Sequence, residues 1–198
     1  KQLALDMGQE TIFSASEAAQ AMTELAKGGM TEANIQGGAL QSTMDLAASS
    51  GMNLADAANT VVQTMGAFDL SASRSGEAVN ALAGAAAASS ADVSDLTQGL
   101  SQVGTVAQNS GWDVQETTAT LAAFADAGIM GSDAGTSLKT MLQRLTAPTD
   151  AAKKKMEELG ISVRDSNDNL LSAQEIAQNL QDALSGLSSG DRDAALNE

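Results

Sequence analysis

Asp165-Ser166-Asn167-Asp168-Asn169 carries oxygen side chains at alternating positions, which is how a calcium-binding loop begins. Such a loop needs glycine at its sixth position and a bidentate glutamate at its twelfth. Here those positions hold Leu170 and Ile176, so the spacing reads as a polar turn with no metal site. Two carboxylate pairs, Asp92/Asp95 and Glu157/Glu158, could in principle divide acid and base roles. Both lie in helical patterns, where an acidic protein offers such pairs by chance, and nothing mounts them across a cleft. The chain has no histidine, cysteine or tyrosine. The commonest general base and every thiolate are therefore missing. No phosphate-cradling glycine loop ends in Gly-Lys-Ser or Gly-Lys-Thr. No catalytic residue, cofactor-binding residue or metal ligand is assigned, and the chain is expected not to be an enzyme.

Charge narrows the partners. The formal net charge is −15. From Gly28 to Leu138 there are eleven acids and one base, Arg74. Duplex DNA is bound by lysines and arginines that displace phosphate counterions, so this stretch repels it. Lys153-Lys154-Lys155 is the one basic run, and it stands beside Glu157 and Glu158 on a helical pattern, as a solvated face does. Direct nucleic-acid binding is not expected. The uncharged run Ala81 to Ala88 is far shorter than the ~20 apolar residues that span a bilayer. Membrane contact is expected only through a longer parent protein, of which a start at Lys1 suggests this is a piece.

The elements that carry these residues are helices. Hydrophobic residues make up 43% of the chain but aromatics only 2%, so the apolar mass is small and aliphatic. Ala, Ser and Gly number 38, 21 and 18, which favours close helix packing with little area buried per helix. Ser14-x-x-Glu17, Asp113-x-x-Glu116 and Ser172-x-x-Glu175 are capping-box patterns, and Asn53 and Asp92 are further caps. Behind them the apolar residues recur at the helical period, for example Val93, Leu96, Leu100, Val103 and Val106. The spacing predicts helices over 15–27, 38–49, 53–66, 73–88, 92–108, 113–126, 133–145, 149–159 and 172–187, with one short turn near 31–36. Glycine and serine form the joints, and Ala147-Pro148 stops one helix. Only 161–171 alternates, as a small β-hairpin candidate. The expected fold is all-α: a compact array of short helices, divided into a core module over 1–148 and C-terminal helices over 149–198.

Two features concern the joints. Gly51-Met52-Asn53 and Gly111-Trp112-Asp113 both read glycine, bulky apolar residue, cap, then helix, and Gly29-Met30-Thr31 echoes them. This is either a weak internal repeat or the common grammar of helix starts. In Ala127-Gly128-Ile129-Met130-Gly131, Gly128 is expected at positive φ, with Ile129 or Met130 packed back on Leu121, Phe124 or Leu138. Trp112, Ile129 and Met130 are the candidate interaction residues. Bulky residues at joints serve either as core anchors or as binding hot spots, and exposure separates the two.

Several segments, taken in order, resemble the core region of phage tail tape measure proteins. They are residues 23–31 (TELAKGGMT), 46–61 (LAASSGMNLADAANTV), 67–73 (AFDLSAS), 81–107 (ALAGAAAASSADVSDLTQGLSQVGTVA), 116–149 (ETTATLAAFADAGIMGSDAGTSLKTMLQRLTAPT) and 159–161 (LGI). The resemblance implies a long-tailed phage or prophage and a structural role in tail assembly, tail length determination and genome delivery. It implies as partners the tail tube and tail-tip proteins, tail assembly chaperones and further copies of the same chain. It places the protein in the lumen of the tail tube, and in the host cytoplasm during assembly. It supplies no catalytic residues. The other reading of the residues is an independent helical protein-binding module, such as a bacterial adaptor or secreted effector domain.

Overall fold

Ser14 sets the pattern for most of the chain. Its hydroxyl accepts the Glu17 amide while the Glu17 carboxylate accepts the Ser14 amide at 2.8 Å, so two free amides of the helix end are satisfied at once. The computed structural model describes residues 2–196. In it the helices are α1 (Gln2–Glu10), α2 (Ala15–Lys27), the single turn α3 (Glu32–Asn34), α4 (Leu40–Ser50), α5 (Leu54–Ala67) and α6 (Ser75–Ala88). They continue as α7 (Val93–Asn109), α8 (Val114–Asp126), α9 (Gly131–Thr146), α10 (Asp150–Leu159), α11 (Ala173–Ser185) and α12 (Ser189–Leu196). The fold is all-α. Side-chain caps sit at Ser14, Thr31, Asn53, Asp92, Asp113, Thr149 and Ser172.

Two details depart from the spacing. Between α3 and α4 the chain widens into a π-helical stretch, Ile35–Ala39, with Gly38 at φ 129°, so the helix expected from residue 38 starts at Leu40. The hairpin candidate at 161–171 condenses to one antiparallel bridge between Arg164 and Leu170, and the described residues contain no extended strand. Two backbone bonds make that bridge: the Asp165 amide donates to Asn169 O at 2.9 Å and the Leu171 amide to Val163 O at 2.9 Å. The helices α1 and α12 lie outside the expected set; α12 begins behind Ser188, whose hydroxyl accepts the Asp191 amide at 3.2 Å.

The joints repeat one device. After α2, α7, α8 and α10, a left-handed glycine (Gly29, Gly111, Gly128, Gly160) is followed by an apolar residue. That residue's amide donates five positions back, as Met30 does to Leu25 O and Trp112 to Ala107 O. This is the Schellman closure, which satisfies the last carbonyls of a helix. Asp69, at φ 49°, plays the glycine's part after α5, with Leu70 donating to Met65 O at 2.9 Å.

The core runs through α2 and α4 to α9. Leu25, Leu46, Val61, Leu82, Val103, Leu138 and Leu142 have essentially no exposed surface. Helix α7 packs most extensively on α9, and α5 on both α2 and α7. Buried threonines on α8 return their hydroxyls to their own helix: Thr117 to Asp113 O at 2.7 Å and Thr118 to Val114 O at 2.8 Å.

Candidate interaction surface

The chemically suggestive residues are occupied locally. The Asp165 carboxylate accepts the amides of Asn167 at 2.8 Å and Asn169 at 2.9 Å, and the Asn169 side chain at 3.0 Å. These bonds, the Asn169 side chain's foremost, hold its carboxyl below the usual range. Asp168 takes the left-handed turn position at φ 67°. The loop is thus a closed turn stabilised by its own aspartate. Asp92 and Asp95 form the capping box of α7, with the Asp95 amide 2.7 Å from Asp92. Glu158 pairs with Lys155 at 3.3 Å and Lys154 at 3.8 Å on the solvent side of α10. No three acidic side chains among the described residues converge as metal ligands, and no described helix is long and apolar enough to cross a membrane.

Trp112 follows the left-handed Gly111 and is only 4% exposed. Its indole Nε1–H donates to Leu171 O at 3.0 Å, so it anchors the core and offers no accessible face here. The joint at 127–131 behaves differently. Gly128 has φ 87°, its amide donates to Ala125 O at 2.8 Å, and the Ile129 amide donates to Phe124 O at 2.9 Å. The ordered left-handed closure is present. The apolar pair is only partly covered, Ile129 and Met130 each being 40% exposed. Gly131 is also left-handed, at φ 56°, so the chain bends twice in four residues, with Ile129 and Met130 between the bends. Asp126 and Asp133, both exposed, flank this tip. The Asp126 carboxylate accepts the Ser90 amide at 2.8 Å and ties the joint to the start of α7.

An apolar groove of about 430 Å³ lies between α8 and α11, lined chiefly by Phe124, Met141, Ile176 and Leu180 with Ala119 and Ala123. Sequence spacing had no means of finding it, since α8 and α11 lie some fifty residues apart. Glu116 sits at its edge. The spacing Asp113-x-x-Glu116 predicts a reciprocal capping box, but only half forms: the Glu116 amide donates to Asp113 at 2.8 Å. The Glu116 carboxylate instead accepts the Ala173 amide at 2.6 Å, at the first turn of α11.

The described residues thus form a helical body with an exposed apolar joint and an open groove. The chain belongs to the phage-related minor tail protein family, whose model matches residues 1–198. Over 196 residues it is 39% identical to the tape measure protein of Pneumococcus phage Dp-1, covering 99% of this chain and 17% of that protein. Over 166 residues it is 32% identical to the probable tape measure protein of Escherichia phage P2, covering 84% of this chain and 20% of that protein. The chain thus spans about a fifth of the length of these relatives. No solved structure matches it.

Proposed function

We propose that this chain is a folded module of a phage tape measure protein, acting in tail assembly, tail length determination and genome delivery. The observation that carries the reading is the match of 99% of the chain, at 39% identity, to a tape measure protein. An independent adaptor or effector domain has no such support. The proposed role is structural, with no catalysis by this segment.

Length arithmetic assigns the module its part in that role. As one continuous helix, 198 residues would extend about 300 Å at ~1.5 Å per residue. Folded as a helical body of this size it has a radius of gyration of about 16 Å. Such a body adds little to a ruler and more to the contacts the ruler makes. Tube and tail-tip proteins, assembly chaperones and further copies of the chain are the proposed partners, and the exposed pair Ile129 and Met130 is the proposed contact. Its place would be the lumen of the tail tube, after assembly in the host cytoplasm.

In-frame deletion of the module from the parent phage tests this. Virions should show tail lengths changed by far less than 300 Å, with defective assembly or DNA delivery. Tails shortened by the full helical length would show the segment to be an extended ruler. Unaltered tails with full infectivity would remove the proposed role altogether.

A further inference from the structure

We propose that residues 149–196 form a C-terminal arm that undocks as a unit from the helical body, latched in place by Trp112 and Glu116. Burial draws the boundary. Helices α7, α8 and α9 each bury five or more residues, whereas α10 buries none and α11 buries only Ile176. Pro148 separates the arm from α9 and removes a backbone donor at the joint.

What holds the arm is a short set of contacts. Trp112 donates its indole N–H to Leu171 O, and Glu116 accepts the Ala173 amide. Arg164 reaches back to Thr146 O at 3.3 Å. Ile176 and Val163, 3% and 7% exposed, supply the buried apolar part, and Met156, Ile161, Leu171 and Leu180 pack on the core while only partly buried. The Glu116 bond is the informative one. Its carboxylate forgoes the local box with Asp113 and is placed at the N-terminus of α11, where a helix has free amides and partial positive charge. Within the arm, Ser172 and Glu175 complete their own capping box, and Asn179 donates to Ser162 O at 2.8 Å. The arm therefore keeps its internal bonds when the latch opens. Elements with little buried apolar surface open at lower free energy than the core. Opening uncovers Trp112 together with the Phe124 and Met141 wall of the groove, so the apolar face available to a partner depends on the position of the arm.

The test uses the whole chain. Native-state hydrogen exchange should show amides of 173–185 exchanging at least about tenfold faster than those of 114–126. Glu116→Ala should raise exchange in 173–185 by a further factor of about ten. Trp112→Phe, which keeps the ring but removes the donor, should act in the same direction. Trp112 is the sole tryptophan, so its emission in urea should shift to the red before helical circular dichroism is lost. Equal protection of α8 and α11, with coincident fluorescence and dichroism transitions, would overturn the arm. Faster exchange in α11 that neither variant alters would overturn the latch.

Discussion

Gly135 of α9 lies so close to Gly99 of α7 that a Cβ added to it would stand 2.3 Å from the Gly99 carbonyl oxygen and 2.8 Å from its Cα. Backbone, not a flexible side chain, fills that space. The two helices approach this closely because Gly135 lacks a side chain, and they form the most extensive helix pair among the described residues; a Cβ on Gly99 would instead meet Leu121 of α8 at 2.9 Å. Gly135→Ala should therefore destabilise the fold by about 1–3 kcal/mol through overpacking. Gly84 is the contrasting case, a helix-interior glycine of α6 with no atom in reach of an added Cβ. Gly84→Ala should stabilise by about 0.5–1 kcal/mol. Urea midpoints of the two variants should move in opposite directions, and a parallel shift would sink the packing argument.

At the joint after α8, Gly128 is left-handed at φ 87° with open space around its Cα. Crowding is therefore not what selects glycine there; backbone conformation is. Gly128→Val should cost about 1–2 kcal/mol, because a β-branched residue is strained in that region. A thermal melt that matches the parent within error would reject the capping role.

Thr64 on α5 is 1% exposed, and its Oγ1 is buried without a hydrogen-bond partner. The buried threonines Thr43, Thr117, Thr118 and Thr120 return theirs to a carbonyl one turn earlier, as Thr43 does to Ala39 O at 2.7 Å. A buried hydroxyl left unpaired keeps its desolvation cost. Thr64→Val, of nearly the same shape, should raise stability by about 1 kcal/mol. A lower urea midpoint for this variant would mean that the hydroxyl is satisfied in solution.

Local chemistry was legible in the sequence and distant chemistry was not. The caps at Ser14, Asn53, Asp92, Asp113 and Ser172 could be read because donor and acceptor lie three residues apart. Helix α2 begins and ends where its spacing predicts, and the left-handed Gly128 follows from a glycine placed just past a periodic helix. The Glu116 carboxylate was misassigned because its partner, Ala173, is 57 residues away. The pairing of Gly99 with Gly135 had no periodic signature either. The partly exposed Ile129 and Met130 precede a second left-handed position, Gly131, whose sequence context resembles an ordinary helix start. Trp112 could be read as anchor or hot spot, and only its burial decides between them.

The caps make a titration prediction. Glu17 and Glu175 are held below the usual carboxylate range by the hydroxyls and amides of Ser14 and Ser172, and Glu77 by Arg74. A carboxyl whose folded value is depressed contributes stability at every pH above its unfolded value, about 4.3 for glutamate. That contribution disappears as pH falls through the folded value. Carbon-13 NMR titration should therefore give Glu17, Glu77, Glu175 and Asp165 midpoints below those of unfolded-chain references. The starts of α2 and α11 should loosen as pH falls from the unfolded glutamate value, about 4.3, down through these depressed folded values. Midpoints at or above the reference values would contradict the capping geometry.

Net charge sets the remaining expectation, for nucleic acid and for salt together. The stretch from Gly28 to Leu138 has eleven acids, and its one base, Arg74, is engaged by Glu77 at 2.6 Å. Phosphate binding needs free cations to release counterions, so duplex DNA should show no sub-micromolar binding in a mobility-shift assay at ~150 mM salt. The same charge acts on the chain itself. At −15 the folded body repels itself more than an expanded chain does. Raising sodium chloride from about 10 to about 150 mM shortens the Debye length from ~30 to ~8 Å and should raise the melting temperature. A DNA-binding protein of this size would show the reverse pairing, with binding at low salt that falls steeply as salt rises. Tight DNA binding would show that cations outside this stretch outweigh its acids, and a melting temperature that falls over this range would show that ion pairs outweigh the self-repulsion.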